Sequence, residues 1–225
     1  MKILVPLKRV ADPDNANKVK IPADGSKIDT AGLEWKANPF DDYALEAALR
    51  LTEDGKKPKA REGEVVLVSF GPKDIETTLR PAMATGPERA IRVECEDEQL
   101  DGLLVAKALA KIVAEEKPDV VVMGKQAVDG DTNQVGQILA ELLDWPMATF
   151  AATIKVEVGA GVGEPGLEQS AAAGAQAAAD VEELALRAGK GCCQRLGDGP
   201  ALGGGAQLVA APGASRHLQP RVAER

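Results

Sequence analysis

The sequence predicts an α/β fold: a doubly wound, mostly parallel sheet flanked by a β-hairpin and followed by a poorly ordered Ala/Gly-rich tail. Three observations predict it. The apolar run at residues 120–123 is continuous, the pattern of a strand buried on both faces, and residues 2–7, 65–69 and 90–93 read as further strands. Between them lie stretches with apolar residues at helical spacing, so strands alternate with helices and pair in parallel through right-handed crossovers. After residue 158 the composition changes abruptly, and large apolar groups become scarce.

Residues 2–7 form the first strand. Lys8 and Arg9 lie just past its carboxyl end, either as the start of a solvated loop or as positive charge beside a bound anion. Residues 18–29 read as a hairpin around Asp24-Gly25, a strong turn dipeptide. The first long helix opens at Asn38-Pro39-Phe40-Asp41. Asn38 suits the N-cap, Pro39 the first helical position and Asp41 the positive end of the helix dipole. Ala44, Leu45, Ala48, Leu49 and Leu51 supply its buried stripe. Phe40 is notable because aromatics make up only 3% of the chain; it either packs in the core or covers a flat ring.

A charged loop at residues 55–63 leads to the strand at 65–69, which Phe70-Gly71-Pro72 turns out of the sheet. Asp74 is placed to cap a helix from Ile75 onward, and Pro81 to end or kink it. After the strand at 90–93, Leu103, Leu104, Val105, Ala108, Leu109, Ile112 and Val113 form a strongly apolar helix ending near Glu116.

The stretch from residue 119 to 145 organises the rest. Val120, Val121, Val122 and Met123 are the strand, Gly124 permits a sharp exit, and a polar loop follows. Asp131 reads as an N-cap with Gln134 completing a capping box, and Val135, Ile138, Leu139 and Leu142 give the next helix its apolar face. The loop and helix start fall at the carboxyl end of a strand, where open α/β sheets bind ligands and where helix N–H groups favour an anion such as phosphate. The loop has neither a Walker pattern nor G-x-G-x-x-G, so spacing alone favours a structural turn over a site. Its density of hydrogen-bonding side chains favours a site, since a capping box uses only two of them.

Composition narrows the function. The formal net charge is -8 with no Lys/Arg-rich block, which argues against nucleic acid as a partner. No apolar run reaches membrane-spanning length, and a strand that begins at Ile3 leaves no room for a signal peptide. Cys95, Cys192 and Cys193 form no disulfide or metal framework, so a cytoplasmic, reducing setting is expected and no metal site is.

The phrases Val5-Pro6-Leu7-Lys8-Arg9-Val10, Asn38-Pro39-Phe40, Val68-Ser69-Phe70-Gly71-Pro72 and Gly124-Lys125-Gln126-Ala127-Val128-Asp129-Gly130-Asp131-Thr132-Asn133-Gln134, continued by Leu143-Asp144-Trp145-Pro146, resemble the β subunit of electron transfer flavoprotein over roughly residues 1–157. The resemblance implies a Rossmann-like sheet of the adenine-nucleotide-binding type. It also implies a heterodimer with an α subunit that holds most of one FAD. Such a dimer takes electrons from dehydrogenases, among them the acyl-CoA dehydrogenases of fatty acid β-oxidation, and passes them to a membrane-associated quinone oxidoreductase. The β subunit of the family carries a structural AMP. Carried over by motif, its contacts fall at Pro6, at Asn38, Pro39, Phe40 and Asp41, at Phe70, and at Gly124, Lys125, Gln126, Ala127, Val128, Asp129, Gly130, Asp131, Thr132, Asn133, Gln134 and Val135. Phe40 matches the family position near the flavin ring. No catalytic residue is nominated: the chain is expected to be an electron-carrier subunit whose chemistry belongs to the flavin. In a related, electron-bifurcating branch a second FAD replaces AMP, and Asn133-Gln134 resembles the AMP-binding branch more closely. From the residues alone, a stand-alone ATP-binding stress or signalling domain of the same sheet type is the alternative.

The resemblance ends near Val158, which divides the chain into a domain at 1–158 and a tail at 159–225. Ile154, Val156 and Val158 still alternate as in a strand. Beyond them no Phe, Trp or Tyr occurs, and Ala and Gly dominate. Such a segment buries too little surface to offset chain entropy, so disorder is expected apart from one Ala-rich helix at about 170–188. A shifted reading frame near Val158 accounts for the break; a divergent extension is the alternative.

Overall fold

Burial on both sides dictates the centre of the molecule: Ile3, Leu4 and Val5 have no exposed surface, and neither have Val65, Val66, Leu67 and Val68. The computed structural model describes residues 1–25, 29, 32–53, 61–151, 154 and 206–210. In chain order, β1 (Lys2–Pro6) leads to a short antiparallel ribbon of β2 (Arg9–Ala11) and β3 (Trp35–Ala37). Next come α1 (Pro39–Thr52), β4 (Glu64–Gly71), α2 (Glu76–Ala84) and β5 (Arg89–Glu94). They are followed by α3 (Gly102–Glu116), β6 (Val120–Gly124), α4 (Val135–Leu143), β7 (Met147–Ala151) and β8 (Ala206–Ala210).

The main sheet has the order β5-β4-β1-β6-β8-β7. β5, β4, β1 and β6 are parallel, while β8 runs antiparallel to both of its neighbours. Alternate residues of each strand face opposite layers. Ile3, Val5 and Leu67 pack with Ala44, Leu45 and Ala48 of α1 and Leu79 of α2. Leu4, Val66 and Val68 pack with Leu109 and Val113 of α3 and Leu139 of α4. The predicted mostly parallel α/β sheet, covered by helices on both faces, is therefore the observed architecture.

Several local expectations change. Among the described residues of the predicted hairpin at 18–29, the pairing seen is the antiparallel bridge of Lys20 and Asp29, with Gly25 at φ 64° in the turn. The longer antiparallel pairing lies outside it, between β2 and β3. Asp74 does not cap a helix. It belongs to a short 3-10 turn, Lys73–Ile75, that runs into α2, whose N-cap is Ile75 without a side-chain cap. Pro81 does not end α2, which continues to Ala84. Pro81 and Thr77 are both exposed, so the Thr77 carbonyl deprived of its i+4 donor can take water instead.

The largest departure is β8. Its residues fall in the segment expected to be low-complexity tail, yet they insert between β6 and β7 and are buried throughout. Ala206-Gln207-Leu208-Val209-Ala210 carries enough apolar surface for one central strand, a signal that average composition conceals. Ile154 packs against the core, whereas Val156, Val158 and the expected helix at 170–188 lie outside the described residues.

At the amino end of the sheet, Glu116 accepts hydrogen bonds from Arg89 and Lys2, which lower its pKa to about 2. This cluster ties α3 to β1 and β5 at the rim opposite the cleft described below.

Leu67 lies at the sheet centre with no exposed surface. Leu67→Ala is expected to lower the unfolding free energy by about 2–5 kcal/mol, read as a lower urea midpoint with unchanged slope.

Candidate functional site

A cleft of about 480 Å³ opens at the carboxyl ends of β1, β4 and β6. β1 sends the chain to β4 on one side, while β6 pairs with its other edge, so the opening lies where the strand order reverses. Val68, Phe70, Leu100, Val105, Leu109 and Met123 supply apolar wall. Lys8, Asn38, Asp41, Lys125, Gln126, Asp129, Thr132, Asn133, Gln134 and Gln207 supply polar groups.

Asp41 joins the parts. Its Oδ2 accepts the Lys8 main-chain N–H at 2.8 Å and its Oδ1 accepts that of Gly124 at 3.1 Å. The start of α1 is thereby fastened to the exits of both β1 and β6. Asp41 lies in the first turn of α1, as expected, but it is buried, and burial pushes its carboxyl up to about 7 against the opposing effect of its hydrogen bonds. Gly124 makes this contact feasible, because a Cβ there would collide with Asp41 Oδ1 and lie 2.7 Å from the Phe40 carbonyl carbon.

Asn38 occupies the N-cap position of α1, with Pro39 first in the helix, but makes no side-chain cap. Its amide turns toward the loop after β6, donating to Gln126 O at 2.8 Å and accepting from Val128 N at 3.2 Å. One side chain thus holds the cleft wall against α1.

The capping box at Asp131 and Gln134 is corrected. α4 starts at Val135, its N-cap is Gln134, and that residue makes no side-chain cap. Asp131 and Asn133 instead adopt left-handed backbone, with φ of 50° and 47°. Asp and Asn tolerate this conformation, and turn bonds from Gly130 N and Asp131 N to Ala127 O extend the loop before any apolar side chain can start a helix. Asp131 accepts from Gln126 Nε2 at 2.6 Å. Left-handed Asn133 followed by right-handed Gln134 belongs to the backbone alternation that gathers N–H groups into anion-binding concavities.

Of the residues singled out from sequence, Pro6, Asn38, Asp41, Phe70, Gly124, Lys125, Gln126, Ala127, Asp129, Gly130, Thr132, Asn133, Gln134 and Val135 line the cleft. Pro39, Phe40, Val128 and Asp131 stand outside its wall. Phe40 is half-buried, and the Lys125 ammonium lies 4.9 Å from its ring centre and 5.2 Å from that of exposed Phe150.

Lys8 and Arg9 have different surroundings. Lys8 is exposed and pairs with Asp129 across the cleft mouth at 2.7 Å. Arg9 is not solvated: its side chain is 7% exposed, it pairs with Asp74 at 2.7 Å and Asp97 at 2.6 Å, and its guanidinium carbon lies 4.4 Å from the Trp35 ring centre. Trp35, Asp97, Asp101, Gly102 and Gln207 also line the cleft, although sequence reading did not single them out. Asp101 carried a usable signal, since Asp before an apolar helix is an N-cap pattern, and its Oδ1 accepts Leu104 N at 2.7 Å. Gln207 carried none, because nothing near it in the sequence marks a strand that returns to this cleft.

An α/β sheet with a polar-walled crevice at its switch point defines the class of the protein. The chain belongs to the electron transfer flavoprotein family: the family described as Electron transfer flavoprotein domain matches residues 26–188. It is similar to proteins named electron transfer flavoprotein subunit beta. The one from Bradyrhizobium diazoefficiens is 46% identical over 157 residues, covering 70% of this chain and 60% of the relative. The one from Homo sapiens is 42% identical over 160 residues, with coverages of 70% and 60%. One from Oryza sativa subsp. japonica, whose name adds mitochondrial, is 42% identical over 174 residues, covering 72% of this chain and 66% of the relative. The chain thus spans about six tenths of the length of the first two. No helix among the described residues is long and apolar enough to cross a membrane.

Because Asp41 holds its proton more tightly folded than unfolded, its contribution to stability weakens as pH rises from about 4 toward 7. Urea unfolding at pH 5 and pH 7.5 should show a loss of about 1–3 kcal/mol over this interval that is absent in Asp41→Asn, after each protein is referred to its own value at pH 5. Gly124→Ala, which forces the start of α1 away from β6, should lower the thermal midpoint by several degrees, on the order of 1–3 kcal/mol.

Proposed function

We propose that this chain is the AMP-holding portion of an electron transfer flavoprotein β subunit. AMP would act in the architecture of the complex rather than turn over. The observation that carries this reading is the loop from Lys125 to Val135: the longest family-like phrase in the sequence forms the polar wall of the cleft. The residues fit a purine nucleotide. Apolar wall from Phe70, Leu100 and Val105 suits a base, while the Asn133–Gln134 turn and the first N–H groups of α4 suit a phosphate. Arg9, whose Nε is buried without a hydrogen-bond partner among the described residues, also lines the cleft.

In this reading an FAD-binding α subunit completes the heterodimer, with Phe40 near the flavin. The complex carries electrons from primary dehydrogenases, such as acyl-CoA dehydrogenases, to a quinone oxidoreductase. The flavin supplies the redox chemistry when bound, and this chain binds and orients without a catalytic residue of its own. A cytoplasmic location belongs to the same reading.

Mass spectrometry of ligand released from the purified chain, with calorimetric titration of AMP, ATP and FAD, tests it. AMP is expected to be the released species and to raise the thermal midpoint in a concentration-dependent way. Released FAD would instead indicate a second flavin in the cleft. A colourless homodimer that prefers ATP would overturn the electron-transfer reading.

A further inference from the structure

Gln207 is 1% exposed, lies on β8 and faces the cleft that the loop after β6 walls. Its Nε2 donates to the Lys125 main-chain carbonyl at 2.9 Å and to Asn133 Oδ1. Asn133 Oδ1 accepts a second bond, from Gln137 Nε2 at 3.2 Å. A side-chain carbonyl has two lone pairs, so the oxygen of Asn133 is fully engaged and its remaining capacity is the two N–H donors of Nδ2.

The direction of these amides is not interchangeable. A main-chain carbonyl only accepts, so the NH₂ end of Gln207 must face Lys125. The same NH₂ end then faces Asn133 and requires an oxygen there. Gln137 does not set the direction, because its own Oε1 is buried without a partner among the described residues and loses nothing by following Asn133 either way. Gly136 admits Gln207 at this depth: a Cβ there would overlap Gln207 Oε1 and lie 3.2 Å from Met123 Sδ.

We propose that Gln207, working from the Lys125 carbonyl, fixes the Asn133 amide with its NH₂ group left for the ligand, so that this part of the cleft selects an acceptor oxygen such as that of a phosphoryl group. Gln207 is a positioning residue, and Asn133 is the donor that touches the ligand. The proposal rests on the nucleotide reading above for its ligand, but not for the amide network itself.

The experiment has two arms on the full chain. Without nucleotide, the Gln207 side-chain NH₂ protons, assigned by NMR, are expected to exchange slowly with solvent; exchange as fast as a surface glutamine overturns the network. With nucleotide, affinities for AMP and adenosine are compared by calorimetry in the parent chain, Gln207→Met and Gln137→Met. Gln207→Met is expected to reduce the preference for AMP over adenosine by about tenfold or more, as for loss of a bond to a charged oxygen, while Gln137→Met leaves it within about twofold. An unchanged preference in Gln207→Met, or an equal loss for both ligands, overturns the selectivity. A parent chain with a protected Gln207 amide that binds neither compound overturns the nucleotide reading and the donor role of Asn133, while the network stands.

Discussion

The carboxylate of Asp41 sits where three elements converge, and the geometry of the cleft depends on it. Its two oxygens accept the main-chain N–H groups at the exits of β1 and β6, strands that pair side by side. Lys8 lies beyond the end of β1 and Gly124 is the last residue of β6, and a buried N–H left without an acceptor at such a place costs about 1–3 kcal/mol. A short acidic side chain at the third position of α1 meets both needs and brings the helix to the sheet. Pro39 and the bare face of Gly124 supply the backbone and the space.

Around that point, the wall of the cleft is held mostly by side chains bonded to main chain. Asn38 binds Gln126 O and Val128 N, and Gln207 binds Lys125 O. Such contacts fix a loop that lacks regular structure, and they leave the ends of the intervening side chains available. Lys8 closes over the opening by pairing with Asp129, whereas Arg9 is committed to two carboxylates and an indole. Adjacent cations in the sequence therefore have unlike environments, because β2 turns one into the ribbon and leaves the other in solvent.

The sheet and the helices on both its faces were legible because buried parallel strands such as Val65–Val68 and Val120–Met123 read as unbroken apolar runs, and α1 and α3 carry helical stripes. The position of the cleft was legible from the order of strand and loop alone. What local pattern misassigned was the role of individual polar residues. Asp131, Asp74 and Asn38 all look like caps, since short polar side chains serve caps, left-handed turns and long-range bonds equally well. Only the fold decides between these uses: Asp74 meets Arg9, Asn38 meets the loop after β6, and Asp131 takes up a left-handed turn. β8 was illegible because five residues in an Ala/Gly-rich segment carry no turn or spacing that says which edge they will pair with.

The place of β8 has a consequence for biosynthesis. β6 and β7 are complete by residue 151, yet the strand between them is not translated until residues 206–210. On the ribosome, the edge of β6 that β8 will occupy keeps its main-chain N–H and C=O groups unpaired by that strand until some fifty further residues are added. Closing so long a connection is a slow, non-local event, so the nascent chain passes through an interval in which chaperone capture and faulty pairing compete with completion of the sheet.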